Sequence, residues 1–205
     1  VVAQAEHGTL EVFEGAGMGA LQPMGRSRLG GVRVAARSGV PLSFRVTPAE
    51  GVILAQRIRL TLQVPLTGDD FSARRPLPAS NGLFEVPIGP SSTEPGEPLD
   101  ENDDPVPSLW WTWTPPARGT LLLRGQPQRS GSFYHIPEWR AFTGAEVANL
   151  TPLPALDLQF DQTKDSSAAF RVDAGLPVNI AGVMWNGTNA ATSARLEFIP
   201  DPSSG

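Results

Sequence analysis

The chain has 205 residues and a net charge of −5, with 21 glycines, 21 prolines and no cysteine. So much Gly and Pro shortens secondary-structure elements and favours an all-β chain over a helical one. The absence of cysteine excludes a disulfide framework and thiolate chemistry. The acidic balance argues against a nucleic-acid partner, and because no apolar run reaches 18 residues we expect no membrane span.

Two segments 129 residues apart resemble each other. LEVFEGAGMGALQPM (10–24) aligns without gaps on WRAFTGAEVANLTPL (139–153). Five positions of the first segment recur in the second, namely Phe13, Gly15, Ala16, Leu21 and Pro23. About one identity is expected at ordinary composition, so we predict that the two segments adopt the same strand-and-turn conformation.

The residues that follow alternate between apolar and polar, as half-buried strands do. Val32 and Val34 are followed by a Gly39 turn and then by Leu42, Phe44 and Val46. The stretch 39–62 aligns on 175–198 with an offset of 136, seven residues more than for the first pair, which indicates a seven-residue insertion in the second copy around DLQFDQTKD (157–165). Short strand runs separated by Gly and Pro turns predict a β-sandwich.

The two alignments predict the domain organisation. Residues 1–66 read as the C-terminal half of one repeat, 67–200 as a complete repeat and 201–205 as a linker. A period near 130 residues is that of domains with separate cores, and we expect the chain to be part of a longer protein. Because 1–66 has no counterpart of the tryptophan-rich strand, we expect exposed strand edges there.

Residues 94–104, EPGEPLDENDD, contain six carboxylates and no basic side chain. The alternation of Asp100, Asn102 and Asp104 can turn three oxygens toward one Ca²⁺, and a cation would relieve the repulsion. Pro105 and Trp111 occupy the positions where an EF-hand needs Gly and Glu, so this is not an EF-hand. A solvated acidic loop is the alternative. The candidate metal ligands are Asp100, Asn102, Asp104, Glu94, Glu97 and Asp70, the last of which we otherwise expect to cap a turn.

The segment SLWWTW (108–113) raises the question whether its indoles are core or ligand platform. In an extended strand Leu109, Trp111 and Trp113 share one face and Trp110 lies on the other. The first set predicts a core face. Trp110 could instead cover a sheet edge, pack on a neighbouring module or stack on a sugar ring, and Tyr134 and Trp139 are further candidate ligand contacts.

Catalytic signatures are missing from the sequence, so we expect no enzyme activity. His7 and His135 are the two histidines and fall at non-equivalent places in the aligned halves. A Ser-His-Asp triad needs a nucleophile beside a well-placed histidine, and no G-x-S-x-G or H-x-x-x-H is present.

Taken together, several motifs resemble bacterial pre-peptidase C-terminal-type domains, a collagen-binding-domain-like family. The shared features are Asp70-Phe71, the turn Glu94–Pro98, the strand Leu109–Pro116, the pair Gly119-Thr120, and Phe142–Gly144 with Leu150. The resemblance implies a non-catalytic, jelly-roll-like β-sandwich of about eight strands, outside the cell. Some relatives bind calcium, and some bind polymers such as collagen. SGSFYHIPEW (130–139) departs from the family pattern, so the resemblance carries no ligand role to that stretch.

Two functional hypotheses follow. The first is a spacer, adhesion or substrate-presenting module of a large exported bacterial protein, with neighbouring repeats and an extracellular polysaccharide or protein as partners. The second is a carbohydrate- or protein-binding module that uses exposed aromatics. The exposure of Trp110, Tyr134 and Trp139 distinguishes them, since stacking on a ligand needs an open ring face.

Overall fold

The structure, a computed structural model, is built from short strands and single turns of 3₁₀ helix. It describes residues 2–5, 8–15, 17–27, 31–34, 36–48, 60–63, 66–87, 91–98, 108–125, 128–130, 133–135, 138–156, 166–183 and 192–202. Within these ranges there is no α-helix, and so none that could cross a membrane. Residues 157–165, around which the insertion falls, lie outside the described residues.

The chain divides into two compact units. The first unit comprises Val1–Leu66 with Pro90–Pro107, and the second comprises Thr67–Gly89 with Ser108–Gly205. The sequence places 90–107 in the second repeat, whereas the structure assigns this segment to the first unit. Asp201, which the sequence assigns to a linker, accepts a hydrogen bond from Arg171 at 2.6 Å within the second unit.

The strands are numbered in chain order, and those of the first unit lie in two sheets, ordered β6-β1-β4-β9 and β3-β2-β5. They are β1 Val2–Ala5, β2 Gly8–Glu14, β3 Gln22–Ser27, β4 Gly31–Arg33, β5 Leu42–Pro48, β6 Leu60–Gln63 and β9 Ser92–Thr93. Both sheets contribute to one small core of Ala3, Leu10, Val12, Val32 and Val34. The segment 90–107 provides β9, which pairs in parallel with β4.

The second unit is larger and contains a five-stranded sheet, β15-β14-β17-β10-β7, and a four-stranded sheet, β16-β11-β18-β8. The strands of these sheets are β7 Arg75–Pro76, β8 Gly82–Val86, β10 Ser108–Trp113, β11 Gly119–Gly125, β14 Glu138–Thr143, β15 Thr151–Pro152, β16 Ser166–Val172, β17 Val178–Val183 and β18 Thr192–Pro200. A separate hairpin joins β12 Gln128–Ser130 to β13 Phe133–His135. Aromatic contacts join the two sheets, so the predicted all-β sandwich is confirmed.

The first pair of aligned segments has the same backbone conformation. A 3₁₀ turn occupies Met18–Ala20 in one and Val147–Asn149 in the other, 129 residues later. Gly15 and Gly144 precede these turns with φ of +140° and +129°. A Cβ on Gly15 would lie 2.6 Å from the Ala20 carbonyl oxygen, so this tight turn requires glycine.

The second pair of aligned segments matches in strand register. β2 pairs with β5 so that Phe13 lies opposite Ser43, and β14 pairs with β17 so that Phe142 lies opposite Asn179. These are equivalent positions at the offsets of 129 and 136. The predicted likeness of the aligned segments is therefore confirmed at the level of turns and pairing.

Candidate functional site

The tryptophan-rich strand β10 turns one face into the second unit's core, as the alternation predicts. Trp111 and Trp113 are both buried. The Trp111 ring lies 5.6 Å from Phe84 and 5.9 Å from Trp139, and Trp113 lies 5.4 Å from Phe198. Phe84 and Phe198 belong to strands of the opposite sheet, so these indoles fill the space between the sheets and contribute dispersion contacts beyond area burial.

Room for the two neighbouring indoles comes from Gly182 on β17. A Cβ built there would lie 2.9 Å from Trp111 Cζ3 and 3.1 Å from Trp139 Cζ3. Gly182 lies opposite Trp139 in the β14–β17 pairing, whereas the equivalent pair in the first unit is Leu10 opposite Val46. A large-and-small pair in one unit therefore replaces two medium-sized side chains in the other.

Trp110 lies on the outer face of the sheet, yet its exposed fraction is 0%. Phe71, from the 3₁₀ turn Phe71–Ala73, packs edge-on against it at 5.1 Å, and Phe142 lies on its other side at 5.8 Å. Val147 and Leu150 pack against the same cluster. We call Phe71, Trp110, Phe142 and Ala181 the outer cluster. Trp110 is therefore enclosed within its own unit, an arrangement that was not among the three alternatives derived from the sequence.

The turn that brings Phe71 into the outer cluster is held by main-chain bonds. The Asp70 carbonyl accepts from the Ala73 N–H at 3.0 Å, and the Asp70 side chain makes no cap hydrogen bond. The Asp70 carboxylate therefore does not cap this 3₁₀ turn. Arg74 closes the arrangement, since its guanidinium lies 4.4 Å above the Phe71 ring and donates to the Phe71 carbonyl at 2.9 Å.

Two of the three candidate ligand-contacting aromatics, Trp110 and Trp139, do not lie on an open surface. Trp139 is 5% exposed and packs against Trp111 and Phe84 inside the sandwich. An indole enclosed like Trp110 or Trp139 has no free face on which a sugar ring can stack. Tyr134 lies in β13, where the structure describes the backbone alone.

The candidate metal ligands fall in different places. Asp100, Asn102 and Asp104 lie outside the described residues. Glu97 is buried, and its Oε2 accepts a hydrogen bond from the Glu94 N–H at 3.1 Å, closing a tight turn. Asp70 belongs to the second unit and this turn to the first. Among the residues that the structure describes, no three His, Cys, Asp or Glu side chains form a group able to hold a metal ion.

The most site-like feature is the outer edge of β5 in the first unit. Among the described residues, β2 is the one strand that pairs with β5, whereas the equivalent strand β17 has neighbours on both sides. Leu42, Phe44 and Val46 on this edge are half-buried. The expected exposed edge is thus confirmed for β5, in the part of the chain that can be described.

Two features of the first unit were not predicted from the sequence. Met18 is 93% exposed, although its counterpart Val147 packs on the outer cluster. Arg45, the counterpart of Ala181, donates two hydrogen bonds to the Glu11 carboxylate, at 2.5 Å and 2.7 Å. These bonds hold the pKa of Glu11 below its ordinary value. The mismatched pairs Met18–Val147 and Arg45–Ala181 in the alignment were the available signal.

Comparison with known proteins identifies no relative. A scan against protein-family models, a search of curated proteins and a search of solved structures each gave no match.

Proposed function

We propose that this chain is a non-catalytic part of a tandem array of β-sandwich modules and serves as a spacer, adhesion or substrate-presenting element of a large exported bacterial protein. The observation that carries this proposal is the burial of all three indoles of the tryptophan-rich strand. Trp110, Trp111 and Trp113 are all buried within one unit. Their apolar surface stabilises the sandwich, at roughly 3 kcal/mol or more for each fully buried indole.

The tandem arrangement is supported by the matched geometry of the two units. The turns after β2 and β14 have the same 3₁₀ conformation, and the β2–β5 and β14–β17 pairs have the same register. Repetition of a strand pair with its turn and its register is what duplication of a module produces. Neighbouring modules of the same chain are accordingly the first partners that we propose.

A non-catalytic role is supported by the hydrogen bonds of two buried polar side chains, Asn179 and Glu97. Asn179 donates from Nδ2 to the Gly144 carbonyl at 2.7 Å and thereby ties β17 to the turn after β14. Glu97 closes its own turn by accepting from the Glu94 N–H. Both groups satisfy main-chain partners, as structural buried polar groups do.

Export, a place at the cell surface and contact with an extracellular polymer are proposed from the resemblance to pre-peptidase C-terminal-type domains. Calcium binding at the acidic run 94–104 belongs to the same group of proposals. The alternative, a module that binds carbohydrate or protein through exposed aromatics, now depends on Tyr134, because Trp110 and Trp139 are enclosed.

A retention experiment separates the spacer from the binding module. The chain is passed over insoluble cellulose, chitin and collagen in the presence of calcium, beside a Tyr134→Ala variant. A spacer elutes with the void volume on all three supports, with and without the substitution, whereas an adhesion module is retained equally in both forms. Retention that Tyr134→Ala abolishes would establish the binding module and overturn the proposal.

A further inference from the structure

We propose that the edge of β5 that faces away from β2, with which no described strand pairs and which we call the free edge, is a docking site for an extended segment with the residue pattern of β10. Such a segment runs antiparallel to β5 and carries large apolar side chains at alternate positions. The inference goes beyond the proposed function, because it depends on the geometry of the first unit and not on a spacer role.

The second unit shows how this edge is occupied. β10 pairs antiparallel with β17, so that Trp111 lies opposite Ile180 and Trp113 opposite Val178. β5 occupies the place of β17, and at the offset of 136 its Phe44 and Leu42 are the equivalents of these two residues. A strand docked in the same register would therefore place its apolar side chains opposite Leu42, Phe44 and Val46.

The backbone groups on this edge point in the required direction. In an antiparallel strand, alternate residues direct both N–H and C=O to the same neighbour. The Pro41 carbonyl accepts from the Gly15 N–H at 3.2 Å, on the side where β2 runs. Leu42, Phe44 and Val46 therefore direct their N–H and C=O groups to the free edge, which is the geometry that β-augmentation uses.

The side chains along this edge explain why an apolar segment fits. Leu42, Phe44 and Val46 pack against the core of Ala3, Leu10, Val12, Val32 and Val34, yet each remains half-buried. All six residues of β17 are buried under the same strand pairing. Burial of a strand like β10 against β5 would remove the remaining apolar surface from water and so favour docking.

The outer face of the same sheet determines which residues the docked segment can carry between its apolar positions. The Arg45 guanidinium lies 5.5 Å from the Phe13 ring, whereas the Trp110 ring lies 5.8 Å from the equivalent Phe142. Arg45 thus lies beside Phe13, as the indole lies beside Phe142 in the second unit. The docked segment consequently needs a small or polar residue opposite Arg45, and its apolar residues all lie on the inner face.

The probe is a synthetic peptide of residues 106–116 that carries Trp110→Thr. It is added at up to 1 mM to the full chain, and amide exchange is followed residue by residue. We expect the exchange of Leu42, Phe44 and Val46 to slow at least tenfold, and exchange in β10 and β17 to stay unchanged. A matched control peptide also carries Leu109→Ser, Trp111→Ser and Trp113→Ser, and we expect it to give no protection.

Two further pairs of reagents test the backbone bonds. Val46→Pro removes a donor at the free edge, whereas Val46→Ala keeps it, so we expect at least a tenfold loss of peptide affinity in the first variant alone. In the peptide, N-methylation of Trp111 blocks a group that faces β5, while N-methylation of Thr112 blocks one that faces away. The methylated pair needs no change in the protein, and we expect the same tenfold difference.

The proposal is overturned by any of three results. These are no protection at 1 mM peptide, equal protection by the serine control, or equal affinity for the two methylated peptides. Protection of β5 that rises with protein concentration in the absence of peptide would show that a second copy occupies the edge instead.

Discussion

β5 and β17 align in sequence and pair in the same register, but their surroundings differ. Each follows a glycine turn, Gly39 with φ +78° and Gly175 with φ +72°, and β5 pairs with β2 in the same register as β17 with β14. Every residue of β17 is buried, whereas the residues of β5 are half-buried or exposed. The difference comes from β10, which covers β17 and has no equivalent beside β5 among the described residues. Pairing to one neighbour thus fixes the conformation of a strand, and a second neighbour decides how far it is buried.

The outer faces of the sheets that contain β5 and β17 also differ according to what covers them. Phe142 packs beside Trp110, and its equivalent Phe13 lies beneath Arg45. The ion pair of Arg45 with Glu11 lies on a face that no described strand covers, at the place where the second unit has an apolar cluster. Whether such a position carries a charged or an apolar side chain therefore depends on what covers the sheet. The alternating strand pattern is compatible with both.

Removal of the indole at the centre of the second unit should have the largest effect. We expect Trp111→Ala to destabilise that unit by about 3–5 kcal/mol, because it leaves a cavity between two sheets that cannot close around it. All five tryptophans lie in the second unit, so denaturant unfolding followed by indole fluorescence reports on it. Unchanged amide exchange in β2 of the first unit is the control, and a loss below about 1 kcal/mol would contradict the interior placement of Trp111.

The contrast between the two strands can be tested by the same truncation at equivalent positions. We expect Ile180→Ala to cost about 2–5 kcal/mol, as buried aliphatic side chains do. Phe44→Ala should cost less than the ~3–5 kcal/mol of a fully buried phenylalanine, because Phe44 is already half-exposed. Fluorescence measures the first variant, and amide exchange in β2 measures the second. If Phe44→Ala cost as much as Ile180→Ala, β5 would be as enclosed as β17.

The small residue beside the indoles provides the next test. Gly182→Ala should destabilise the second unit by about 1–3 kcal/mol, because the added methyl overlaps Trp111 and Trp139. Gly82→Ala on β8 is the matched control, since its added methyl meets one atom, at 3.9 Å. We expect the control to stay within about 0.5 kcal/mol of the wild type. Equal behaviour of the two variants would show that Gly182 does not set the spacing.

The smallest expected effect is on the pH dependence of the first unit. Hydrogen bonding from Arg45 holds the pKa of Glu11 below its ordinary value of 4.5. The folded state then binds the proton less readily than the unfolded state, so this stabilisation is complete above pH 4.5 and is lost as the pH falls through the lower folded value. We expect the protection factors of the β2 and β5 amides, which are corrected for the intrinsic pH dependence of exchange, to fall less on acidification in Glu11→Gln than in the wild type.

The second unit is the internal control for this pH effect, since Ala181 occupies the place of Arg45. Added salt should weaken the difference, because the pair lies at the surface. An identical acid response of Glu11→Gln and the wild type would show that the ion pair does not stabilise β2 against β5.

Much of this architecture is determined by the sequence alone, because the relevant rules are local. Alternation with period two assigns Trp111 and Trp113 to one face of β10, and that face is the core. The need for positive φ at Gly15 and Gly144 fixes the matched turns.

Which element covers which face is decided only by the tertiary structure. Trp110 shows the difference, since its outward position follows from the strand pattern but its burial follows from Phe71, 39 residues earlier. The same holds for β9, which the sequence places in the second repeat and which pairs with β4 of the first unit. The physical reason is that a strand's period specifies two faces and two edges, whereas their burial depends on long-range packing that no local pattern encodes.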